Sequence, residues 1–305
     1  MISSAFFGGV GGVEKLLQSI VESMPDTLFY IHAREVRTGG FVPRTHNFLL
    51  NWLPASGVPL DLYVYLAGGG RPVYLGDRYA FTASIVDTCG ADIRDIEDKF
   101  DWVAIQSDNA SRYSSREEKW MPAFPRVILP AGREPVDLPE KYFLTVFNPY
   151  SDKLKGGDVV FRAAEHAAMP IVWCYSDKSG LRFAGLQAHP NVIQLKNLSQ
   201  EALYHVYENA SAYVSFSLSE SMGWSIMEAF YIGLPIISRE VGVVSYLINQ
   251  PGIAVYRDEK ELVERLRQPG FAAPHYDHTY FEQNSFDHVF ERVIEVAEAA
   301  RLGVP

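Results

Sequence analysis

The chain has 305 residues, of which 48% are hydrophobic, 13% aromatic and 21% charged. This length suggests two compact domains, and the composition excludes a disordered chain, a collagen-like chain and a coiled coil. Lys and Arg number 27 against 37 Asp and Glu, which gives a net charge of −10. Both halves share the acidic excess, so nucleic acid is not expected as a partner, because phosphate recognition needs a basic surface.

The two cysteines, Cys89 and Cys174, lie in different halves of the chain. Two isolated thiols build neither a disulfide framework nor a zinc site, which favours a reducing compartment. The first seven residues lack the basic and apolar regions of a signal peptide. No apolar run approaches the roughly 18 residues that a membrane-spanning helix needs. We therefore predict a cytoplasmic protein.

The first half alternates short β-branched or aromatic runs with helical patterns. Strands are predicted at 27–31, 62–66, 72–75, 102–106 and 126–129, with helices after Gly12 and at about 80–99. Residues 130–139 carry three prolines and a glycine between two strand-like runs, which predicts a linker.

From Tyr142 onward, strands and helices alternate more clearly, which is typical of a parallel sheet wound with helices. Strands are predicted at 143–147, 170–174, 191–195, 212–216, 235–238 and 253–255, and helices at 157–167, 200–209, 225–232, 243–248, 259–267 and 286–300. The fold class is thus α/β, with two doubly wound, Rossmann-like domains at 1–139 and 140–284. Such sheets bind ligands at their strand ends, so a central cleft between the domains is expected.

The densest group of candidate functional residues follows a predicted strand in the second half. A polar loop carries Glu220, Gly223 permits a tight turn, and a helix begins near Trp224 or Ser225 and carries Glu228. The N–H groups at a helix start can hold an anion. A carboxylate beside that anion would be repelled unless it accepts from neutral groups such as vicinal sugar hydroxyls. This combination indicates a nucleoside diphosphate sugar as ligand.

This segment resembles the motif of two glutamates separated by seven residues in retaining glycosyltransferases with the GT-B fold, particularly family 4 (group 1 glycosyltransferases). The spacing of Glu220 and Glu228 is accompanied by Gly223, Gly233 and Pro235 at matching offsets. The alternative interpretation is a loop carboxylate and a solvated helix carboxylate without a shared role.

The resemblance implies transfer of a hexosyl or other glycosyl group, with retention of configuration, from a UDP- or GDP-linked sugar to an acceptor hydroxyl. No cofactor other than this co-substrate is expected. No metal ion is expected either, because the chain has no Asp-x-Asp pair of the kind that binds metal in the GT-A type. The acceptor could be a glycan, a lipid-linked molecule or a small molecule.

The resemblance also implies roles for individual residues. Lys155, followed by Gly156 as in the family, would contact the donor diphosphate, Glu228 the ribose, and Glu220 the transferred sugar. Implied catalytic residues are Glu220, Lys155 and Asp77, and implied donor-binding residues are Gly11, Gly12, Lys155, Met222, Gly223, Trp224, Ser225 and Glu228. A final helix within 285–305 would pack back on the first domain.

Ser221 and Met222 replace the glycine and phenylalanine of the family's donor loop, and the sequence departs from the family in two further places. The arginine that normally precedes the lysine is missing, and Asn148 lies in that region, so Lys153 or Arg162 would have to compensate. The family's first-domain histidine is also missing, and Asp77, or as second choice Asp87, occupies its place. These departures motivate an alternative function, a non-catalytic nucleotide-sugar-binding scaffold with the same fold.

Residues 120–125 form an apolar stretch broken by prolines. Packing in a core or an interface is one interpretation. The border of an acceptor site or a peripheral contact with a membrane is the other.

Overall fold

The computed structural model describes residues 2–7, 12–36, 45–50, 60–67, 79–86, 94, 98, 100–105, 124, 127, 129–149, 152–176, 188–220, 222–268 and 270–302. The chain divides into two compact units, one formed by Met1–Arg126 together with Thr279–Pro305 and the other by Val127–His278. The chain passes from the first unit to the second after Arg126, which is before the predicted linker at 130–139. It passes back to the first unit after His278, which is before the predicted boundary at residue 284.

The first unit contains a parallel sheet of six described strands. They are β1 (Ile2–Phe7), β2 (Phe29–Val36), β3 (Phe48–Leu50), β4 (Leu60–Ala67), β5 (Tyr79–Val86) and β6 (Trp102–Ile105). Their order across the sheet is β3-β2-β1-β4-β5-β6, and every described pair is parallel. Helix α1 (Gly12–Ser23) follows β1 and buries Leu17, Ile20 and Val21. This is the doubly wound topology expected of a Rossmann-like domain.

Three expectations for the first half of the chain need correction. Residues 79–86 form strand β5 and not the start of a helix, because Thr82, Ile85 and Val86 are β-branched and suit a strand between β4 and β6. Strands β1 and β3 were not expected. Val127 and Leu129, the described residues of the predicted strand 126–129, lie in a loop. The predicted strand 72–75 lies outside the described residues.

The second unit also contains six described parallel strands. They are β7 (Phe143–Val146), β8 (Ile171–Tyr175), β9 (Val192–Lys196), β10 (Ala212–Val214), β11 (Ile236–Ser238) and β12 (Ile253–Val255). Their order is β12-β11-β10-β7-β8-β9, so the direction of winding reverses between β10 and β7. The helices are α2 (Asp152–Lys155), α3 (Gly157–Ala164), α4 (Gln200–Glu208), α5 (Trp224–Ile232), α6 (Val244–Leu247) and α7 (Glu259–Leu266).

Local sequence explains where these helices begin. The side chain of Ser199 accepts from the N–H of Ala202 at the start of α4, and Asp258 does the same for Glu261 at the start of α7. Such caps satisfy N–H groups that have no partner inside the helix. Strands β7 and β8 bury Phe143, Ile171 and Trp173 completely, as expected for strands covered on both faces. The α/β fold class is confirmed.

The chain returns to the first unit through α8 (Thr279–Gln283) and α9 (Phe286–Arg301). Helix α9 packs against α1, β4 and β5 and buries Phe290 and Ala297. Phe124, the one described residue of the apolar stretch 120–125, is completely buried, with its ring 4.8 Å from that of Phe281. Among the described helices, none is both long and apolar enough to cross a membrane.

Candidate active site

The candidate residues of the second unit meet at the carboxyl ends of β7 and β10. These two strands are neighbours at the point where the winding of the sheet reverses. Lys155 follows β7, and Glu220 follows β10. Doubly wound sheets bind their ligands at such reversal points, because the loops there diverge and leave a crevice.

Gly156 fixes the position of Lys155 against the end of β10. Helix α2 ends at Lys155, and Gly156 adopts a left-handed conformation (φ +72°) before α3 begins. A Cβ atom on Gly156 would lie 2.4 Å from the carbonyl oxygen of Phe216, so no other residue fits without displacing the backbone. The N–H of Leu218 donates to the carbonyl of Leu154 at 2.7 Å, which ties the two loops together.

Lys155 and Glu220 form an ion pair in this crevice. The ammonium nitrogen of Lys155 lies 2.6 Å from each carboxylate oxygen of Glu220. The hydroxyl of Ser217 donates to Glu220 Oε1 at 2.7 Å. The side chains are 28% exposed for Lys155 and 10% for Glu220. The pair is therefore open to a ligand on one side and supported by protein on the other.

The loop after β11 packs directly behind Glu220. Gly242 has a left-handed backbone, and a Cβ atom there would lie 2.9 Å from both Glu220 Cβ and the carbonyl oxygen of Met222. That carbonyl accepts from the N–H of Val243 at 2.9 Å. Ser217 lies in the predicted motif segment, but no contact with Glu220 was predicted for it. Gly242 was not expected at the site, because a glycine after a strand carries no specific signal in a single sequence.

Helix α5 begins at the same edge of the sheet. Gly223 is its N-cap residue in a left-handed conformation, and its carbonyl accepts from the N–H groups of Ile226 and Met227. The first turn, which contains Trp224 and Ser225, holds no acidic residue, so its N–H groups and dipole can attract an anion. Met222 beside it is completely buried.

Glu228 lies in the second turn of α5 and is only 3% exposed. The hydroxyl of Tyr207, from α4, donates to Glu228 Oε2 at 2.9 Å. Burial and the adjacent carboxylate raise the pKa of Tyr207 well above its ordinary value, so this phenol stays a donor. Burial and the same carboxylate also raise the pKa of Tyr204. The interpretation of Glu228 as a solvated helix carboxylate is therefore wrong.

The remaining predicted residues lie elsewhere or outside the described chain. Gly12 is the first residue of α1, in the first unit. Arg162 pairs with Asp158 and Glu259, each at 2.8 Å, on an exposed face. Lys153 lies in α2, but its side chain is outside the described part. Two more predicted positions, Gly11 and the catalytic candidate Asp77, are outside it too, as is the second choice, Asp87.

Described side chains and a helix start supply charge at this site. In the part of the chain that the structure describes, no three His, Cys, Asp or Glu side chains cluster in a way that could hold a metal ion. In the described part of this edge, Lys155 supplies a cationic group and the start of α5 supplies a helix dipole. They can hold an anion, and the carboxylates of Glu220 and Glu228 can accept from hydroxyl groups.

Residues 176–268 match the family model of group 1 glycosyl transferases. The match covers this part of the chain. It runs from before β9 to the end of α7 and includes Glu220, Gly223 and Glu228, whereas Lys155 precedes it. The resemblance inferred from the two glutamates is confirmed. No curated protein sequence matches the chain.

Solved structures match nearly the whole chain. The lipopolysaccharide outer core galactosyltransferase WaaB superposes with a TM-score of 0.60 at 12% identity over 99% of each chain. The sucrose-phosphate synthase of Thermosynechococcus elongatus gives 0.60 at 15% identity over 99% of this chain and 96% of that one. HepE of Anabaena, in complex with UDP and glucose, gives 0.56 at 13% identity over 100% and 97%. At these identities the likeness concerns the fold, which is GT-B.

Proposed function

We propose that this protein transfers a glycosyl group from a nucleoside diphosphate sugar to an acceptor hydroxyl, with retention of anomeric configuration and without a metal ion. The observation that carries the proposal is the meeting of Lys155, Glu220 and the start of α5 at the reversal point of the second sheet. One cation, one carboxylate and one helix start are the groups that a diphosphate joined to a sugar requires.

Lys155 and the first turn of α5 would hold the diphosphate. Negative charge grows on the diphosphate as the glycosidic bond breaks, and an ammonium group and helix N–H groups that are already in place stabilise it without reorganising. Trp224 and Ser225 provide the helix N–H groups, and Gly223 lets the backbone approach closely because it has no side chain. No protein nucleophile is assigned, so the protein contributes position and charge.

The two glutamates would hold the parts of the donor that carry hydroxyls. Glu220, with the backbone at Met222 and Gly223, would accept from the transferred sugar, and Glu228 would accept from the ribose. Tyr207 uses part of the acceptor capacity of the buried Glu228 carboxylate, which offers about four lone-pair positions in all. Asp77, Gly11 and Gly12 remain predicted contributors from the first unit.

Donor binding would rearrange the Lys155–Glu220 pair. Each group now neutralises the other at 2.6 Å. When the donor enters, the diphosphate would take the ammonium group of Lys155, and a sugar hydroxyl would donate to Glu220. In the empty site, the ion pair would keep both charges compensated, because an uncompensated, partly buried charge is costly.

Uridine diphosphate is the first nucleotide to test, since the similar HepE structure holds UDP and glucose. Guanosine diphosphate follows, because the chain offers no signal that selects the base. A glycan, a lipid-linked molecule or a small molecule remains open as acceptor. The cytoplasmic location and a peripheral membrane contact stay predictions.

The test measures nucleoside diphosphate release from a panel of UDP- and GDP-sugars, with and without candidate acceptors. Acceptor-dependent release from the native protein, lost in Lys155→Ala and kept in the exposed-lysine control Lys141→Ala, would support transfer. The anomeric configuration of the product, read by proton NMR, would test retention. Donor binding without release for every acceptor would instead favour the non-catalytic scaffold.

A further inference from the structure

Three tyrosines surround the buried carboxylate of Glu228 and the first turn of α5. Tyr204 and Tyr207 come from α4, and Tyr213 comes from β10. The rings of Tyr207 and Tyr213 are stacked, with centroids 6.1 Å apart and planes at 13°. The Tyr204 ring lies 5.8 Å from that of Tyr207. All three residues are at most 4% exposed, so their rings are held by packing.

The hydroxyls of this cluster act on α5 at two adjacent places. Tyr207 donates to Glu228 Oε2 at 2.9 Å and also lies 3.2 Å from the carbonyl of Ser225. Tyr213 donates to the hydroxyl of Ser225 at 2.7 Å. A rigid donor on a neighbouring helix therefore contacts the Glu228 carboxylate, whose own side chain has three rotatable bonds.

We infer that Tyr207 is a positioning residue, which sets the orientation of the Glu228 carboxylate so that it can accept from the two hydroxyls of a ribose. This inference rests on the proposed function, since it takes Glu228 as the ribose-binding carboxylate. Tyr207 itself is completely buried and need not touch the nucleotide. Its hydroxyl bonds one oxygen of the carboxylate, and the ribose would be recognised by the carboxylate in the orientation that this bond sets.

A purely structural role for Tyr207 is the competing explanation. A buried carboxylate needs donors, and a tyrosine that satisfied this need would stabilise the fold without affecting ligand selectivity. The two roles differ in one measurable quantity. Only a positioning residue changes how strongly the protein distinguishes a ribonucleotide from its 2′-deoxy analogue, because that difference reports the contact between the carboxylate and the ribose hydroxyl.

The experiment compares dissociation constants for UDP and 2′-deoxy-UDP, and for GDP and 2′-deoxy-GDP, by calorimetric titration. For the native protein we expect the 2′-deoxy compound of the binding pair to be about tenfold weaker, the effect of one hydrogen bond to a charged group. In Tyr207→Phe the ribonucleotide should bind several-fold more weakly, and the 2′-deoxy penalty should fall below about threefold.

Tyr142→Phe is the matched control. Tyr142 is a completely buried tyrosine of the same unit, and its hydroxyl donates to the carbonyl of Val206 at 2.6 Å. The variant Tyr142→Phe should lose stability as Tyr207→Phe does, but it should keep the full 2′-deoxy penalty. An equal fall of the penalty in both variants would overturn the inference, because general loosening of the unit would then explain it.

A second pair of variants covers the case in which Tyr207→Phe does not fold. Glu228→Gln removes the buried charge, so that Tyr207→Phe can be added without leaving a carboxylate short of a donor. If Tyr207 acts through Glu228, the double variant should show the same small 2′-deoxy penalty and the same nucleotide affinity as Glu228→Gln alone. A further loss of affinity in the double variant would overturn the inference.

Failure of this inference differs from failure of the proposed function. A native protein with a clear 2′-deoxy penalty that Tyr207→Phe retains would refute the role of Tyr207 and leave Glu228 on the ribose. A native protein that binds neither nucleotide, or binds both forms of each equally, would refute the role of Glu228, and the inference about Tyr207 with it.

Discussion

Lys155 donates to both carboxylate oxygens of Glu220, at 2.6 Å each. The two residues are 65 positions apart in the chain and meet because β7 and β10 are neighbours in the sheet. Under the proposed function, an incoming diphosphate would have to compete with Glu220 for the same ammonium group. The pair would then set how strongly the empty site attracts an anion.

Replacing Glu220 with Gln should strengthen binding of the free nucleoside diphosphate and weaken catalysis. The substitution removes the carboxylate that competes for Lys155, so we expect roughly threefold to tenfold tighter binding, because a solvent-screened ion pair contributes on the order of 1 kcal/mol. Transfer should slow, since the sugar loses its charged acceptor. Calorimetric titration with UDP or GDP and turnover with the donor sugar measure the two effects.

Glu240→Gln is the control for this prediction. Glu240 is exposed and follows β11, so its substitution removes the same charge outside the ion pair. The nucleoside diphosphate affinity and the turnover of Glu240→Gln should stay close to those of the native protein. Weaker nucleotide binding by Glu220→Gln would show that Glu220 contacts the nucleotide instead of restraining Lys155.

Replacing Lys155 with Met should lower both nucleotide affinity and stability. Glu220 would keep its bond from Ser217 but lose its cation, and removal of one partner from a partly buried pair should cost about 1 to 3 kcal/mol. The double variant Lys155→Met/Glu220→Gln should regain most of that stability without regaining activity. Urea unfolding of the native protein, the two single variants and the double variant measures the coupling free energy between Lys155 and Glu220. Additive stability losses would contradict this prediction.

Much of the second unit could be predicted because its elements carry their own signals. The apolar strands 143–147 and 170–174 and the caps at Ser199 and Asp258 place helices and strands within one or two residues of their observed bounds. Residues 79–86 show where prediction from local sequence signals fails. Their alanines suit a helix and their β-branched residues suit a strand, so local propensity is divided, and pairing with β4 and β6 decides for the strand.

The site could be predicted only in part for the same reason. Glu220 and Glu228 stand in one local motif with a glycine at a fixed offset, so the sequence shows that they belong together. Tyr207 contacts Glu228 from a different helix, and Gly242 supports Glu220 from a third loop. Contacts between separate elements depend on strand order and register, and one sequence does not report either.

Catalysis should survive chelation of metal ions. Lys155 and the start of α5 supply the positive charge at the reversal point, and no cluster of three metal-ligating side chains exists among the described residues. Turnover in excess EDTA should therefore equal turnover in buffer. Loss of activity in EDTA with recovery on addition of Mg²⁺ or Mn²⁺ would show that a metal ion neutralises the diphosphate.

Alkaline pH should destabilise the protein partly through Cys174. Burial raises the pKa of its thiol from 9.0 to about 12. Between these values the unfolded chain releases a proton that the folded chain keeps, so stability is full below pH 9 and falls as pH rises. At pH 10 the loss from this group should be about 1.4 kcal/mol. Cys174→Ala should show a correspondingly shallower decline in urea unfolding, and parallel curves for the two proteins would contradict this.

Gly156→Ala should damage the protein more than the same change at another left-handed glycine. Gly156 and Gly233 both have positive φ, +72° and +86°, so each alanine should cost about 1 to 2 kcal/mol in backbone strain. At Gly233 the nearest atom to an added Cβ is 4.0 Å away, whereas at Gly156 it is the Phe216 carbonyl at 2.4 Å. That contact can be relieved only by moving the backbone after β7 away from the end of β10, and Lys155 would move with it.

We expect Gly156→Ala to lose more stability in urea unfolding than Gly233→Ala and also to lose nucleoside diphosphate affinity, which Gly233→Ala should keep. Equal stability losses with unchanged affinity in both variants would show that the close approach at Gly156 does not position the lysine.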